Sequence, residues 1–309
     1  MKKEVNEAID RAKSRVMRAS VSNLAPAYLF ANENLRDSML RRCAGKDCLV
    51  VNGSGDYKLS ALHYGVRRVD SFDINIVSKY LLDIKEQVIL NFSLSEFLEF
   101  FHSEKSFFSA DMCAQINKGL SKGAQMLCEM AQERPDRIFC SNTPRRKKVH
   151  ISQQYDIKNI PYLQSQENYN SVKSRLSGTE TKFYRKDATK IVRFIKNKKY
   201  DFVHLSNIVA YSDQIFPNSS DSLTEFYDKI IIPISGLLKD GGVLIGGYVY
   251  NSQNPYGIAY WGKINSAAER DRQFAGRPEM NYHEFHFPAA RNNNAMDAML
   301  AFTKKSKSF

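Results

Sequence analysis

No apolar run in this 309-residue sequence approaches the ~18 residues a bilayer-spanning helix requires, so no transmembrane segment is expected. The opening residues, Met1-Lys2-Lys3-Glu4-Val5-Asn6-Glu7, contain no apolar stretch of the secretory kind, which predicts a cytoplasmic protein. Cysteine is sparse and odd in number (Cys43, Cys48, Cys113, Cys128, Cys140), with no Cys-x-x-Cys pair. That argues against a disulfide framework and against a zinc site, and leaves free thiols as the expectation. Histidine is also scarce. His283 and His286 are three apart on an expected strand, a spacing that points them to opposite faces, so no metal site is expected. His204 falls inside an apolar strand and is expected to be a core residue. No internal repeat is evident.

Acidic residues are outnumbered, 33 Asp and Glu against 45 Lys and Arg, a formal net charge of +12. Such a surface attracts anions: nucleic acid, anionic lipid or an acidic small molecule. The excess is dispersed, with short clusters at Arg145-Arg146-Lys147-Lys148, Lys196 to Lys199 and Lys304-Lys305-Ser306-Lys307.

Helical spacing of Val5, Ala8, Ile9, Ala12 and Val16 predicts a helix over residues 1–20, and residues 27–43 look like a second. Asp47 to Val51 is a short apolar run closed by Asn52-Gly53, a strand followed by a tight turn. A helix from about Tyr57 to Tyr64 should follow, then a strand from Val66 to Phe72 that ends at Asp73, then a helix over 76–91. Residues 94–135 are rich in helix formers and phenylalanine, which predicts a helical insertion with Phe97, Phe100, Phe101, Phe107 and Phe108 in its core. Residues 141–178 are polar and aperiodic and are expected to be an exposed connection. Strands are expected again at Thr181–Arg185, Tyr200–Leu205 and Gly242–Tyr248, with helices at Ile191–Asn197 and Leu223–Leu238 between them. Two last strands, Tyr282–Phe287 and Ala298–Thr303, have no helix between them and imply a hairpin at a sheet edge.

Strand and helix in alternation predict an α/β fold: a doubly wound, mostly parallel seven-stranded sheet of the class I methyltransferase-like kind, with N-terminal helices and a helical insertion. The expected organisation is an N-terminal helical cap (1–45), a first half of the core (46–92), the insertion (93–178) and a second half of the core (179–309). In open α/β sheets ligands sit beyond the carboxyl ends of the strands. Gly53 to Asp56, Asp73, Asp187 and Ser206-Asn207 all follow expected strands.

In Val50-Val51-Asn52-Gly53-Ser54-Gly55-Asp56 the glycines let the chain turn sharply and bring its backbone close to a ligand, where the next helix offers free amides. Asp73 closes the following strand, where an acid suits the two hydroxyls of a ribose. Together these predict an adenine nucleoside cofactor. Dinucleotide sites prefer a third glycine where this chain has Lys58, which argues against NAD. S-adenosylmethionine (SAM) has no pyrophosphate and needs no third glycine. The expected cofactor contacts are Gly53, Ser54, Gly55, Asp56 (facing the methionyl ammonium), Asp73, Ile74, Asp187 with Ala188 (at the adenine amino group) and Ser206. For Asp56 and Asp187 a plain helix-capping role is the alternative.

The glycine turn, with Leu59, Tyr64-Gly65, Phe72-Asp73-Ile74-Asn75 and Lys79-Tyr80, resembles a bacterial group of SAM-dependent proteins similar to the 3-amino-3-carboxypropyl transferases that make betaine lipids. Tyr28 to Asn34, Ser93 to Phe101 and Tyr200 to Ile208 share the resemblance, which covers roughly residues 26–105 and 180–250. It implies a methyltransferase-like fold with SAM as cofactor. The common methyltransferase pattern has an acid where this chain has Val51 and a glycine where it has Tyr57, so the transferred group, methyl or aminocarboxypropyl, stays open. Asn207 and Tyr211 after the fourth core strand, and Tyr28 from the N-terminal region, are the expected reacting-end residues. The sequence does not identify the acceptor; a small molecule or lipid is the expected class, with nucleic acid a further partner that the net charge allows. Two other functions fit parts of the pattern: an NAD-dependent oxidoreductase, and a basic protein that binds nucleic acid or a membrane surface without catalysis.

Overall fold

The computed structural model describes residues 28–36, 39–102, 107–133, 157–195, 197–250, 252, 266–289 and 295–304. The helix expected over 1–20, the cluster Arg145–Lys148 and Cys140 lie outside these residues. Seven strands are present: β1 (Asp47–Val51), β2 (Arg68–Asp73), β3 (Glu180–Arg185), β4 (Tyr200–His204), β5 (Leu238–Val249), β6 (Met280–Pro288) and β7 (Met296–Lys304). They form one sheet in the order β3-β2-β1-β4-β5-β7-β6. β1 pairs in parallel with β2 and β4, and β4 with β5, whereas β7 lies antiparallel between β5 and β6. This is the expected class I methyltransferase-like fold, with the last two strands as the edge hairpin.

The chain clusters into two compact units, one made of Met1–Arg36, Asn52–His63 and Asp73–Thr179, the other of Asp37–Val51, Tyr64–Phe72 and Glu180–Phe309. In the first, helices span Asp56–His63, Ile76–Asn91, Leu94–His102, Ala110–Ile116, Lys122–Glu133 and Gln166–Leu176. Phe97, Phe100, Phe101 and Phe108 are fully buried, as their pattern predicts, whereas Phe107, also expected in the core, is half-buried. The second unit packs Leu49, Phe72, Val203, Leu244, Leu300 and Phe302 of the sheet with Ile191, Phe226, Ile230 and Phe274.

Three expectations are corrected. Residues 28–36 are irregular rather than helical, and only a short 3-10 turn follows at Met39–Cys43. Tertiary contacts override local helix preference here. Leu29, Phe30 and Leu35 are fully buried, with the Phe30 ring 6.3 Å from Phe97 and 6.1 Å from Phe101, and the Ala31 amide is taken by a carboxylate. Within 141–178, residues 157–176 are ordered rather than an exposed connection: Tyr162 and Tyr169 are fully buried, 6.2 and 5.6 Å from Phe97. Widely spaced apolar anchors in a polar stretch leave no period to read. Finally, the Leu223–Leu238 helix is Ser222–Phe226, a π turn at Tyr227–Ile231 and Ile232–Ser235, ending before β5 starts at Leu238. Pro233 has no amide hydrogen and its ring would crowd the carbonyl one turn back, so the preceding turn widens.

Cys43, Cys48, Cys113 and Cys128 are buried free thiols. Among the described residues no helix is long and apolar enough to cross a membrane.

Candidate functional site

β1 is buried except at its last residue, Val51, and the chain leaves it through a turn closed by the Gly55 amide on the Asn52 carbonyl, 2.6 Å. Gly53 and Gly55 hold φ of +51° and +88°, the left-handed region that side chains resist. A Cβ on Gly53 would meet nothing within 4 Å, so its backbone borders open space. A Cβ on Gly55 would lie 3.0 Å from Leu82 Cδ1. Gly55→Ala is therefore expected to destabilise the fold by about 2–4 kcal/mol, against about 1 kcal/mol for Gly53→Ala. Urea unfolding of the two variants checks this, and equal losses would contradict the close approach to Leu82.

Asp73 stands at the tip of β2, and the structure brings it directly to the glycine turn. The Gly53 amide donates to its Oδ2 at 2.9 Å and the Asn75 amide to its Oδ1 at 2.8 Å. A carboxylate offers about four lone-pair sites, more than these two amides use. Asp73 is half-buried, and burial pushes its carboxyl up to about 6 against the opposing pull of the Asn75, Gly53 and Ile74 amides and the Ser78 hydroxyl. Asn75 caps the next helix by accepting from the Val77 amide, 3.0 Å. The buried Asn52 side chain donates to the Ser78 carbonyl, 2.9 Å, and so ties the glycine turn to the first turn of that helix. Ile74, between Asp73 and Asn75, is 44% exposed.

Asp56 is a correction. It does not face outward to meet an ammonium group of a ligand, because it is fully buried and its carboxylate is consumed by the protein. Oδ1 accepts from Lys85 Nζ and from the Tyr162 hydroxyl, each at 2.7 Å. Oδ2 accepts from the Ser54 hydroxyl at 2.7 Å and the Ala31 amide at 2.6 Å. Lys85 is equally buried, with its ammonium 4.5 Å from the centre of the Phe30 ring. Burial lowers the Lys85 pKa and Asp56 opposes that shift; burial raises the Tyr162 hydroxyl well above its usual value. Ser54 thus also turns its hydroxyl inward, to this network.

In the other unit, Asp187 is half-buried after β3 and accepts from the Thr189 amide, 2.7 Å, and hydroxyl. It makes a local turn ahead of the short helix Ile191–Phe194 instead of capping a longer one, and Ala188 beside it is buried. After β4, Ser206 holds φ of +56°, a conformation uncommon for a serine, and its amide donates to His204 Nδ1 at 2.9 Å. His204 is a buried core residue, as expected, and burial holds its pKa down to about 3, so the ring is neutral. Asn207 is half-buried and donates to the Tyr250 hydroxyl, 3.4 Å, while Tyr211 closes the 3-10 turn Ile208–Tyr211. Tyr28, in the first unit, is half-buried. Asn52 and Asn75 stand in the sequence motifs with no site role expected of them; Asn52 marks an Asn-Gly turn and Asn75 a capping residue two positions after the acid, whereas Lys85 and Tyr250 carry no local signal.

Lys58 does not obstruct the helix start: its ammonium is drawn away to Glu86, 2.7 Å. Its bulk therefore excludes no dinucleotide. The antiparallel β7 does depart from the strand order 3-2-1-4-5-6 of dinucleotide-binding sheets.

No protein-family profile matches the chain, and no curated protein does. Solved structures with a similar chain path include the N-methyltransferase NodS from Bradyrhizobium japonicum in complex with S-adenosyl-L-homocysteine (SAH), at 8% identity and a TM-score of 0.40, covering 88% of this chain and 86% of that one. An O-methyltransferase from Bacillus cereus with SAH shares 11% identity, with a TM-score of 0.37 and coverage of 96% and 91%. A protein assigned as a SAM-dependent methyltransferase from Streptococcus mutans shares 10% identity, with a TM-score of 0.35 and 85% of this chain covered. The chain spans about half the length of that protein (46%). Likenesses this distant carry no argument about activity.

Proposed function

We propose that the protein is a SAM-dependent transferase. The observation that carries this is the Gly53–Asp73 hydrogen bond: a glycine turn bordering open space, joined to a carboxylate held by two backbone amides, at the tips of adjacent parallel strands. Such an acceptor is preorganised for the two hydroxyls of a ribose. The order of the sheet, with β7 antiparallel, favours SAM over a dinucleotide.

In this proposal Gly53, Ser54 and Gly55 lend backbone to the cofactor, Asp73 accepts from the ribose and the exposed Ile74 lies against the adenine. The sequence alone puts forward Asp187 and Ala188 for the adenine edge, Ser206 for the methionyl part, and Asn207, Tyr211 and Tyr28 for the acceptor. SAM chemistry is displacement at a carbon bonded to sulfonium, so the chain's task is alignment and exclusion of water. An aromatic face such as that of Tyr211 stabilises the cationic sulfur. The group moved is methyl or, as the betaine-lipid resemblance implies, 3-amino-3-carboxypropyl; that resemblance favours a small-molecule or lipid acceptor.

Titration calorimetry with SAH and, separately, NADH tests the proposal. SAH is expected to bind and NADH not; the reverse result sinks it. Chromatography after incubation with SAM then assigns the group, since methyl transfer leaves SAH and aminocarboxypropyl transfer leaves methylthioadenosine.

A further inference from the structure

Half of the chain's excess positive charge sits in one short stretch. Residues 180–199 hold eight Lys and Arg against two acids, a net +6 of the total +12. The structure makes this stretch a border of the sheet, for it comprises the outermost strand, β3, and the helix Ile191–Phe194 after it. Two of its lysines are matched: Lys190 lies 3.8 Å from Asp187, and Lys198 lies 3.0 Å from Asp70 and 3.7 Å from Glu180. Lys182, Arg185, Lys186, Arg193 and Lys199 have no carboxylate partner among the described residues, which do not include Lys196; Lys199 donates to the Gly236 carbonyl, and all but the half-buried Lys186 are exposed. A lysine or two is enough to discourage pairing at a strand edge; five unmatched cations are more than that requires.

Aromatic rings are interleaved with these cations. Lys182 and Tyr184 share a face of β3, with the ammonium 5.1 Å from the ring centre. Lys186, just past the end of β3, places its ammonium 3.8 Å from the centre of the Phe194 ring, and Phe194 is 51% exposed, the most exposed large hydrophobic residue of the described chain. Cations beside an exposed ring match a flexible polyanion that carries flat bases, because phosphates meet the cations while a base stacks on the ring. An anionic membrane fits less well. Lipid binding calls for an apolar face to enter the acyl region, and here Ile191 and Ile195 are buried, which leaves Phe194 as the one exposed large apolar side chain among the described residues of this stretch. A strand edge with a four-residue helix also offers no element to enter a duplex groove.

We propose that the β3 edge, through Lys182, Arg185, Lys186, Arg193 and Phe194, binds single-stranded nucleic acid without sequence preference. This interaction is independent of the cofactor proposal and stands or falls separately from it.

Fluorescence anisotropy of a labelled oligouridylate, with the full-length protein at a series of KCl concentrations, tests it. Binding should weaken with salt at a logarithmic slope of about −3, as four or five phosphate contacts to a single strand imply. The variant Lys182→Glu/Arg185→Glu/Arg193→Glu should lose at least about tenfold in affinity at ~50 mM KCl. Phe194→Ala should weaken binding while leaving the salt slope unchanged, because stacking releases no counterions. A matched variant with the same net charge, Lys118→Glu/Lys122→Glu/Arg175→Glu on exposed positions of the other unit, should lose less than about threefold. Equal losses in the two triple variants overturn the proposal, since bulk charge alone then explains binding. So does wild-type protein that ignores the oligonucleotide yet binds phosphatidylserine vesicles through the same three residues.

Discussion

Lys85→Met is expected to destabilise the fold by about 3–5 kcal/mol, the cost of leaving a buried charge without its partner. The Asp56 carboxylate has no route to water: both residues of the pair are fully buried, and their charges meet at 2.7 Å. Removing the ammonium leaves three donors around Asp56, the Tyr162 and Ser54 hydroxyls and the Ala31 amide, which soften the penalty without cancelling the charge. The double variant Asp56→Asn/Lys85→Met should recover most of the loss, because a buried ion pair replaced by neutral groups of similar volume is often tolerated. Urea unfolding of the two single variants and the double variant reads this directly. A single variant that costs less than about 1 kcal/mol would show that the pair reaches solvent. Because Asp56 opens the helix directly after the glycine turn, and its Oδ2 takes the Ser54 hydroxyl, the single variants should also weaken SAH binding even where they remain folded.

Asp73→Ala should weaken SAH binding about 10- to 100-fold, or about 1–3 kcal/mol, the range for a lost hydrogen bond to a charged group. Calorimetry that shows unchanged affinity in a folded variant removes Asp73 from the site. Acid provides a second test of the same residue. Its pKa is raised to about 6, so below that pH the carboxylate gains a proton and ceases to be a two-fold acceptor. Wild-type affinity for SAH should fall as pH drops through about 6, and Asp73→Ala should lack that step. Stability moves the other way for this group. The folded state binds the proton before the unfolded chain does, so between about pH 6 and the ordinary carboxylate value near 4, protonation of Asp73 favours the fold. Carboxylates with depressed values act at lower pH. Asp47, hydrogen-bonded to Arg67 and Lys239, and Glu284, forked by the buried Arg270, contribute stability that disappears only as pH falls below the ordinary carboxylate range. Cofactor binding should therefore weaken at mildly acidic pH before the fold does.

Strand tips were legible because their signals are local. Val51-Asn52-Gly53 and Phe72-Asp73 each combine an apolar run with a residue that ends it, and the helix over 76–91 appears with its expected bounds because Val77, Leu81, Ile84 and Val88 keep a regular period. The same locality explains the failures. Residues 28–36 have helix-like composition but are held by contacts far along the chain, and Tyr162 and Tyr169 sit in a stretch too polar and irregular to advertise them. The helix Ala267–Phe274, which carries the buried Arg270, has a mostly charged sequence and was not anticipated.

The amino-acid sequence by itself determined the alternation of strands and helices, the edge hairpin and the pairing of a glycine turn with an acid one strand on, since each follows from the chemistry of a few neighbouring residues. Only the tertiary structure decided which acid is open to a ligand. Asp73 and Asp56 were both expected to meet the cofactor, one at its ribose and the other at its ammonium. One is held by backbone amides beside open space; the other meets Lys85 and Tyr162, 29 and 106 residues away, in an interior with no water to solvate it. The fate of a carboxylate depends on its dielectric surroundings and on which charge lies within about 3 Å, and folding brings that charge from elsewhere in the chain.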